Sequence, residues 1–214
     1  MASGVSQNGW PASSNPTSVG IKAFSFPLRG QQRRIVVAEA VAPQFIEIIQ
    51  WWDQNIEPVT QLGSWNYREI RGKEGTGKLS NHSSGTAVDI NWDKHPLGAV
   101  GTIPPAQADA LRRKVASLGL RWGGDYKRRK DEHHIEVAYS PIRQSAVLQA
   151  LKVQAAVQDK TKRGKDAAGR AALRLYKQRR AIYTVTAVVS AVLVVGLGGL
   201  LLHRRETQPP RGTK

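Results

Sequence analysis

The sequence predicts an α+β fold, in which a small antiparallel sheet with flanking helices is followed by a helical stalk and one C-terminal transmembrane helix. Two short segments, 86–92 and 134–139, alternate apolar and polar residues as half-buried strands do. Two longer segments, 42–55 and 104–118, carry apolar residues at helical spacing. The third observation is a run of 22 residues without a charge, 181–202. The predicted strands and helices therefore alternate along the chain up to residue 139, and the predicted segments after it are helices only.

The chain has 214 residues, enough for one domain with a core and additional segments. It contains no cysteine, so a metal site would have to use His, Asp or Glu side chains. Composition divides the chain into a flexible arm rich in Ser, Asn, Gly and Pro, a folded domain, a basic helical stalk, a transmembrane helix and a basic tail. Their predicted bounds are 1–20, 21–140, 141–180, 181–202 and 203–214.

The first helix is predicted over 42–55. Pro43 suits the first turn of a helix, because a proline there loses no hydrogen bond. Phe45, Ile48, Ile49 and Trp52 follow at the spacing of one helical face, which indicates a buried stripe. The second helix starts at the prolines 104–105, and the segment 61–70 between the two helices is predicted to be a strand or an irregular extended stretch.

The net charge of +16 is unevenly distributed along the chain. Residues 1–140 carry 17 Lys and Arg against 13 Asp and Glu, whereas residues 141–214 carry 15 against 3. The basic excess therefore surrounds the apolar run, which suits anionic lipid better than nucleic acid. We accordingly expect a membrane partner for the C-terminal helix and no nucleic-acid partner.

The two predicted strands each turn polar side chains away from the core. In the first strand, Asp89 lies on the face opposite to an apolar set, Val88, Ile90 and Trp92. In the second, His134 and Glu136 lie opposite to Ile135, Val137 and Tyr139. If the strands are neighbours, Asp89 and His134 face a common cleft.

The loop before the first of these strands adds a histidine to that cleft. His82 lies there, and Gly85 relaxes the backbone between it and the strand. Asp131 precedes His134 by three residues, in the loop that enters the second strand. Two imidazoles, one carboxylate and a further carboxylate nearby are the groups that a catalytic zinc requires.

These residues lie in two motifs that resemble those of the M15 zinc peptidases. The first motif has the pattern S-x-H-x-x-G-x-A-x-D over 80–89, and the second has W-G-G-D-Y followed by D-x-x-H-I-E over 122–136. This family contains peptidoglycan-cleaving enzymes related to D-alanyl-D-alanine carboxypeptidases and phage L-alanyl-D-glutamate endopeptidases. The resemblance implies that Zn²⁺ is held by His82, Asp89 and His134, with Asp131 as the general base.

The resemblance also implies a substrate-binding arginine in an upstream Y-R segment. Arg68 matches that position, and Arg71 is close enough in sequence to compete for the role. Ser80 and Asp125 are further candidates for substrate binding, and Asp125 could instead support a ligand or cap a turn. His133 is an alternative ligand to His134, although the strand alternation favours His134.

From the resemblance we expect hydrolysis of a bond in the peptidoglycan stem peptide. The second motif is similar to that of the endopeptidase branch, which cleaves the L-Ala–D-Glu bond and includes phage endolysins. A D-Ala–D-Ala carboxypeptidase is the first alternative. The second is a non-catalytic module that binds the cell wall and keeps the fold.

The expected topology follows from charges around the apolar run. Eight Lys and Arg lie in 161–180 and four in 203–214, and the more basic side normally stays in the cytoplasm. The N-terminal residues lack the pattern of a signal peptide. We therefore expect the catalytic domain to face the cytoplasm at first and to reach the wall after the membrane is breached. Export by another route is the alternative.

Overall fold

The computed structural model describes residues 3–206, and for residues 172, 176 and 178–206 it describes the backbone alone. The chain divides into two compact units, 1–154 and 155–214. The first unit contains all of the strands among the described residues, together with the helices that pack on them.

The centre of the first unit is a four-stranded antiparallel sheet. Its strands are, in spatial order, β5 (Leu62–Gly63), β6 (Ala87–Ile90), β8 (His134–Val137) and β7 (Leu120–Trp122). The apolar side chains of β6 and β8, such as Val88 and Ile135, are fully buried in the core. The predicted antiparallel sheet is therefore present, with strands β6 and β8 side by side in its middle.

Two helices cover the core side of this sheet. Helix α1 spans Ala42–Asn55 with the predicted bounds, and its predicted stripe from Phe45 to Trp52 is fully buried. Helix α2 spans Pro105–Ser117, one residue shorter at each end than the predicted segment. The hydrophobic stripe and the prolines at the helix starts were thus sufficient to locate both helices.

The N-terminal residues differ from the predicted flexible arm. They form strands β1 (Ser3–Val5) and β2 (Pro11–Ser13), and the next segment forms a hairpin of β3 (Ile21–Leu28) and β4 (Gln31–Ala38). Trp10 is buried, and its Nε1 donates a hydrogen bond to the carbonyl of Tyr139 at 2.9 Å. The prediction failed because the hydrogen-bond partner of Trp10, Tyr139, is 129 positions away in the sequence.

Strand β6 ends earlier than predicted, and this changes the position of Trp92. The alternating pattern placed Trp92 on the buried face, but its side chain is 42% exposed. Asn91 adopts a left-handed backbone conformation with φ of 51°, which ends the strand at Ile90 and breaks the alternation. Trp92 therefore turns out of the core.

The C-terminal part of the chain is one helix, α3, which spans Pro141–Glu206. No helix is long and apolar enough to cross a membrane within the part of the chain whose side chains are described. The predicted transmembrane segment, 181–202, lies outside those residues. The membrane helix therefore stays a prediction.

Candidate metal centre

A short 3-10 helix, Asn81–Ser84, positions His82. The Ser80 hydroxyl caps this helix by accepting a hydrogen bond from the His82 amide at 3.3 Å. Gly85 ends it with φ of 64°, and a Cβ on Gly85 would lie 2.7 Å from the backbone nitrogen of Ala38. Only glycine satisfies both the conformation and the close approach, so this position holds the turn that aims His82 at the sheet.

The sheet brings the other two predicted ligands together. Asp89 of β6 lies directly opposite His134 of β8, and directly opposed residues share one face of a sheet. His134 Nδ1 is 2.8 Å from Asp89 Oδ1, and His82 Nε2 is 3.2 Å from the same oxygen. One ligand atom from each of the three side chains lies within 4.8 Å of the others. We call His82, Asp89 and His134 the metal cluster.

The hydrogen bonding of His82 directs its Nε2 at the metal cluster. His82 Nδ1 lies 2.7 Å from the carbonyl oxygen of Ser64, which can only accept, so Nδ1 carries the proton. In the neutral ring Nε2 is then an acceptor, and it faces a carboxylate oxygen. Nε2 is buried and has no hydrogen-bond partner within the described part of the chain. A bound cation would satisfy both facing acceptors, and an N, O, N donor set fits a zinc-like ion.

His134 differs from His82 because both of its ring nitrogens meet carboxylates. Nδ1 contacts Asp89, and Nε2 lies 3.2 Å from Glu136 Oε2. Burial alone lowers the pKa of His134, but the two carboxylates outweigh it and raise the pKa to about 10. A cation bound at Nδ1 would replace the proton there, and Nε2–H would still donate a hydrogen bond to Glu136. A histidine ligand oriented by a carboxylate has this arrangement.

Glu136 connects both motifs through a buried hydrogen-bond network. Its side chain is 2% exposed and accepts hydrogen bonds from Asn81 of the first motif, from Arg121 and from the Tyr126 hydroxyl. The contact with His134, together with Arg121 and Tyr126, outweighs the effect of burial and holds the pKa of Glu136 at about 2. The strand alternation predicted the face of Glu136 but not this role. The signal was present, since His134 and Glu136 share that face.

Asp131 lies close to the metal cluster without belonging to it. Burial and the neighbouring Asp89 raise its pKa, although His134 and His133 act in the opposite direction. Asp131 Oδ1 is 3.0 Å from His133 Nε2, and His133 Nδ1 contacts the carbonyl oxygen of His95 at 2.6 Å. His133 Nε2 is therefore nearer to the candidate base than to Asp89 Oδ1, from which it is 3.8 Å away, whereas His134 Nδ1 is 2.8 Å from Asp89 Oδ1.

Gly123 allows the second motif to approach the sheet. A Cβ on this residue would lie 2.4 Å from the carbonyl oxygen of Asp131 and 3.2 Å from the Cβ of His134. A side chain would therefore push the backbone of Asp131 away from the metal cluster. The tight turn predicted for the glycines of 123–124 is a 3-10 turn, Gly123–Asp125.

The candidate substrate arginine is half-buried beside the metal cluster. Arg68 Nη1 donates a hydrogen bond to the carbonyl of Glu69, while its buried Nε has no partner in the part of the chain that the structure describes. Burial and the nearby Arg71 lower the pKa of Arg68, and Asp89 and Asp131 act to raise it. Arg71 is exposed.

Two of the other candidates have structural contacts. Ser80 is buried and serves as the helix cap described above. Asp125 forms an exposed ion pair with Arg112 of α2 at 2.8 Å. Its carboxylate is therefore paired with an arginine rather than with one of the predicted metal ligands. His95 is buried between Thr102 and Glu57. Only tertiary contacts distinguish these roles.

The comparison with known families agrees with the motifs. Residues 74–137 match the M15 family model that is described as D-alanyl-D-alanine carboxypeptidase. The matched segment contains the metal cluster, Asp131 and Glu136, while Arg68 lies outside it. No curated protein matches the chain. The resemblance seen in the sequence is therefore confirmed, and residues 74–137 are similar throughout to an M15 family peptidase.

Proposed function

We propose that this protein is a zinc-dependent peptidase that hydrolyses a bond in the peptidoglycan stem peptide. The observation that carries the proposal is the metal cluster, in which His82 Nε2 and Asp89 Oδ1 face each other at 3.2 Å. The match to a peptidase family supports the reaction class. The donor set supports zinc, since zinc accepts His nitrogen and Asp oxygen ligands and keeps an open position in catalytic sites.

The metal would be held by His82, Asp89 and His134. When bound, zinc supplies a Lewis acid for the scissile carbonyl and lowers the pKa of a water molecule. Asp131 is proposed to accept a proton from that water at its carboxylate and to deliver it to the leaving amine. Its raised pKa supports the first step, because a carboxylate with a higher pKa is a stronger base toward the water proton.

Arg68 is proposed to orient a carboxylate of the substrate. Its buried Nε is unpaired among the described residues, and only Nη1 donates to a backbone carbonyl. A substrate carboxylate would supply the missing acceptor. Arg71 remains the alternative, because it is exposed and near enough to affect Arg68 electrostatically.

The bond proposed for cleavage is L-Ala–D-Glu, because the second motif is similar to that of the endopeptidase branch. The description of the matched family favours the alternative, a D-Ala–D-Ala carboxypeptidase. A non-catalytic wall-binding module is the third candidate, which the intact metal cluster and Asp131 disfavour. The first two candidates differ in their products, because only the carboxypeptidase releases free D-alanine.

The experiment digests purified peptidoglycan with the full chain, with and without a metal chelator. Mass spectrometry of the new amino and carboxyl ends should show a new D-Glu amino end that is absent after chelation. Free D-alanine without that end would support the carboxypeptidase. Wall binding without new ends would overturn the peptidase proposal.

The C-terminal segment 181–202 is proposed to anchor the protein in a membrane, with the catalytic domain on the cytoplasmic side before lysis. The support is the uncharged length, about 33 Å at ~1.5 Å per residue against a hydrocarbon layer of about 30 Å, and the basic residues before it. Protease added to intact expressing cells should leave the domain uncut. Digestion without lysis would place the domain outside.

A further inference from the structure

Trp92 is the one exposed tryptophan among the six of the chain, all of which lie in the described residues. The other five are buried or half-buried. An exposed indole offers a large, rigid apolar face with a polar edge, which suits contact with a ligand. The position of Trp92 relative to the metal cluster indicates what that ligand is.

The outward position of Trp92 is held by its neighbour in the chain. Asn91 takes the left-handed conformation, and its buried amide is tied to the segment before β5. Its Oδ1 accepts hydrogen bonds from the backbone amides of Thr60 and Gln61 at 2.8 and 3.0 Å. Because these contacts fix the turn at Asn91, the side chain of Trp92 is held away from the core.

Gly63 shows on which face of the sheet the indole lies. Gly63 is paired directly opposite Asp89. A Cβ built on Gly63 would meet the Cβ of Asp89 at 3.4 Å and Cζ3 of Trp92 at 3.5 Å. The indole and Asp89 therefore lie against the same face of Gly63. The next residue, Ser64, supplies the carbonyl that holds His82.

We propose that Trp92 is a specificity-determining residue, whose indole contacts the apolar side chain of the stem-peptide residue on the carbonyl side of the scissile bond. This inference rests on the proposed peptidase function. The metal cluster and Asp131 are polar and recognise the reacting carbonyl, so side-chain recognition requires a separate apolar surface. Trp92 supplies that surface beside Asp89. In both candidate bonds, L-Ala–D-Glu and D-Ala–D-Ala, the residue on the carbonyl side is alanine, which offers one methyl group.

The test compares two synthetic stem peptides that differ only by alanine or glycine on the carbonyl side of the cleaved bond. The wild-type full chain should prefer the alanine peptide by about 10-fold or more in kcat/KM, the discrimination that one methyl group supports in an apolar pocket. Trp92→Ala should reduce this preference to about 2-fold or less, mainly by raising KM for the alanine peptide. Trp92→Phe, which keeps an aromatic face, should retain an intermediate preference.

Two controls separate specificity from folding and from metal binding. Trp92→Ala should bind as much metal as the wild type, since the indole contributes no ligand. Val153→Ala removes apolar surface from an exposed valine on α3 and should leave the preference unchanged.

An unchanged preference in Trp92→Ala, or equal losses on both peptides, would overturn the inference while the peptidase function stands. A wild-type chain that cleaves neither peptide would overturn the proposed function and this inference together. The two failures are therefore distinguishable.

Discussion

The two segments that carry the histidines hold their rings in different ways. In the first, a backbone carbonyl, that of Ser64, fixes the ring of His82. In the second, a buried carboxylate, Glu136, fixes the ring of His134. The first histidine therefore directs Nε2 at the metal cluster, and the second is held by charge. A carbonyl only orients a ring, whereas a carboxylate also makes the ring a stronger donor to a metal.

Because of this difference, a substitution can remove the support of His134 but not that of His82. The carbonyl of Ser64 belongs to the backbone and stays whatever side chain is placed there. Glu136 is a side chain, and it also binds Asn81, which precedes His82. The carboxylate therefore serves both segments, and its substitution should affect the whole metal cluster.

The largest effect is expected from removing either ring. His82→Ala and His134→Ala should each lose nearly all bound metal, because a three-ligand site retains little affinity with two ligands. Elemental analysis of the purified full chain measures this directly. His133→Ala is the matched control and should keep about one metal per chain. Metal loss in His133→Ala together with retention in His134→Ala would reverse the assignment of the second ligand.

Asp131→Asn should separate the base from the ligands. We expect a loss of about 10²-fold or more in kcat with metal content unchanged, as general-base removal gives. Stem-peptide hydrolysis and elemental analysis on one preparation provide both values. If metal is lost in parallel with activity, Asp131 is part of the metal site rather than the base.

Glu136→Gln tests whether metal binding depends on the carboxylate that holds His134. Losing the charge that holds His134 should weaken metal binding by about 10–100-fold, measured by competition with a chelator. Glu132→Gln is the control, because Glu132 is a buried carboxylate of the same motif that accepts backbone hydrogen bonds from residues 101–103. It should lower the melting temperature with little change in metal affinity. Equal affinity losses in the two variants would show that folding alone explains the effect of Glu136.

The smallest effect is expected from the first glycine of the second motif. Gly123→Ala should cost about 1–3 kcal/mol of unfolding free energy, because its Cβ would collide with the backbone of Asp131. Denaturant titration measures the change. Gly164→Ala, in open space on α3, should instead be neutral or stabilise by up to about 1 kcal/mol. A neutral Gly123→Ala variant would mean that the turn can relax.

The sequence predicted the parts of the fold that depend on neighbours along the chain. Helix α1 appears with its predicted bounds because its stripe, its proline and its length are local features. The N-terminal strands were missed because Trp10 is buried by residues far along the chain. Trp92 was assigned to the wrong face because one left-handed residue, Asn91, interrupted a regular alternation.

By itself the sequence determined the candidate ligands, the candidate base and the resemblance to the family, because two motifs of specific spacing contain them and alternation places Asp89 and His134 on one face. Only the tertiary structure decided how those groups are supported. It assigned Glu136 to His134, the Ser64 carbonyl to His82, and Asp125 to an ion pair with Arg112. The physical reason is that hydrogen-bond partners are chosen by distance in space, which periodicity along the chain does not record.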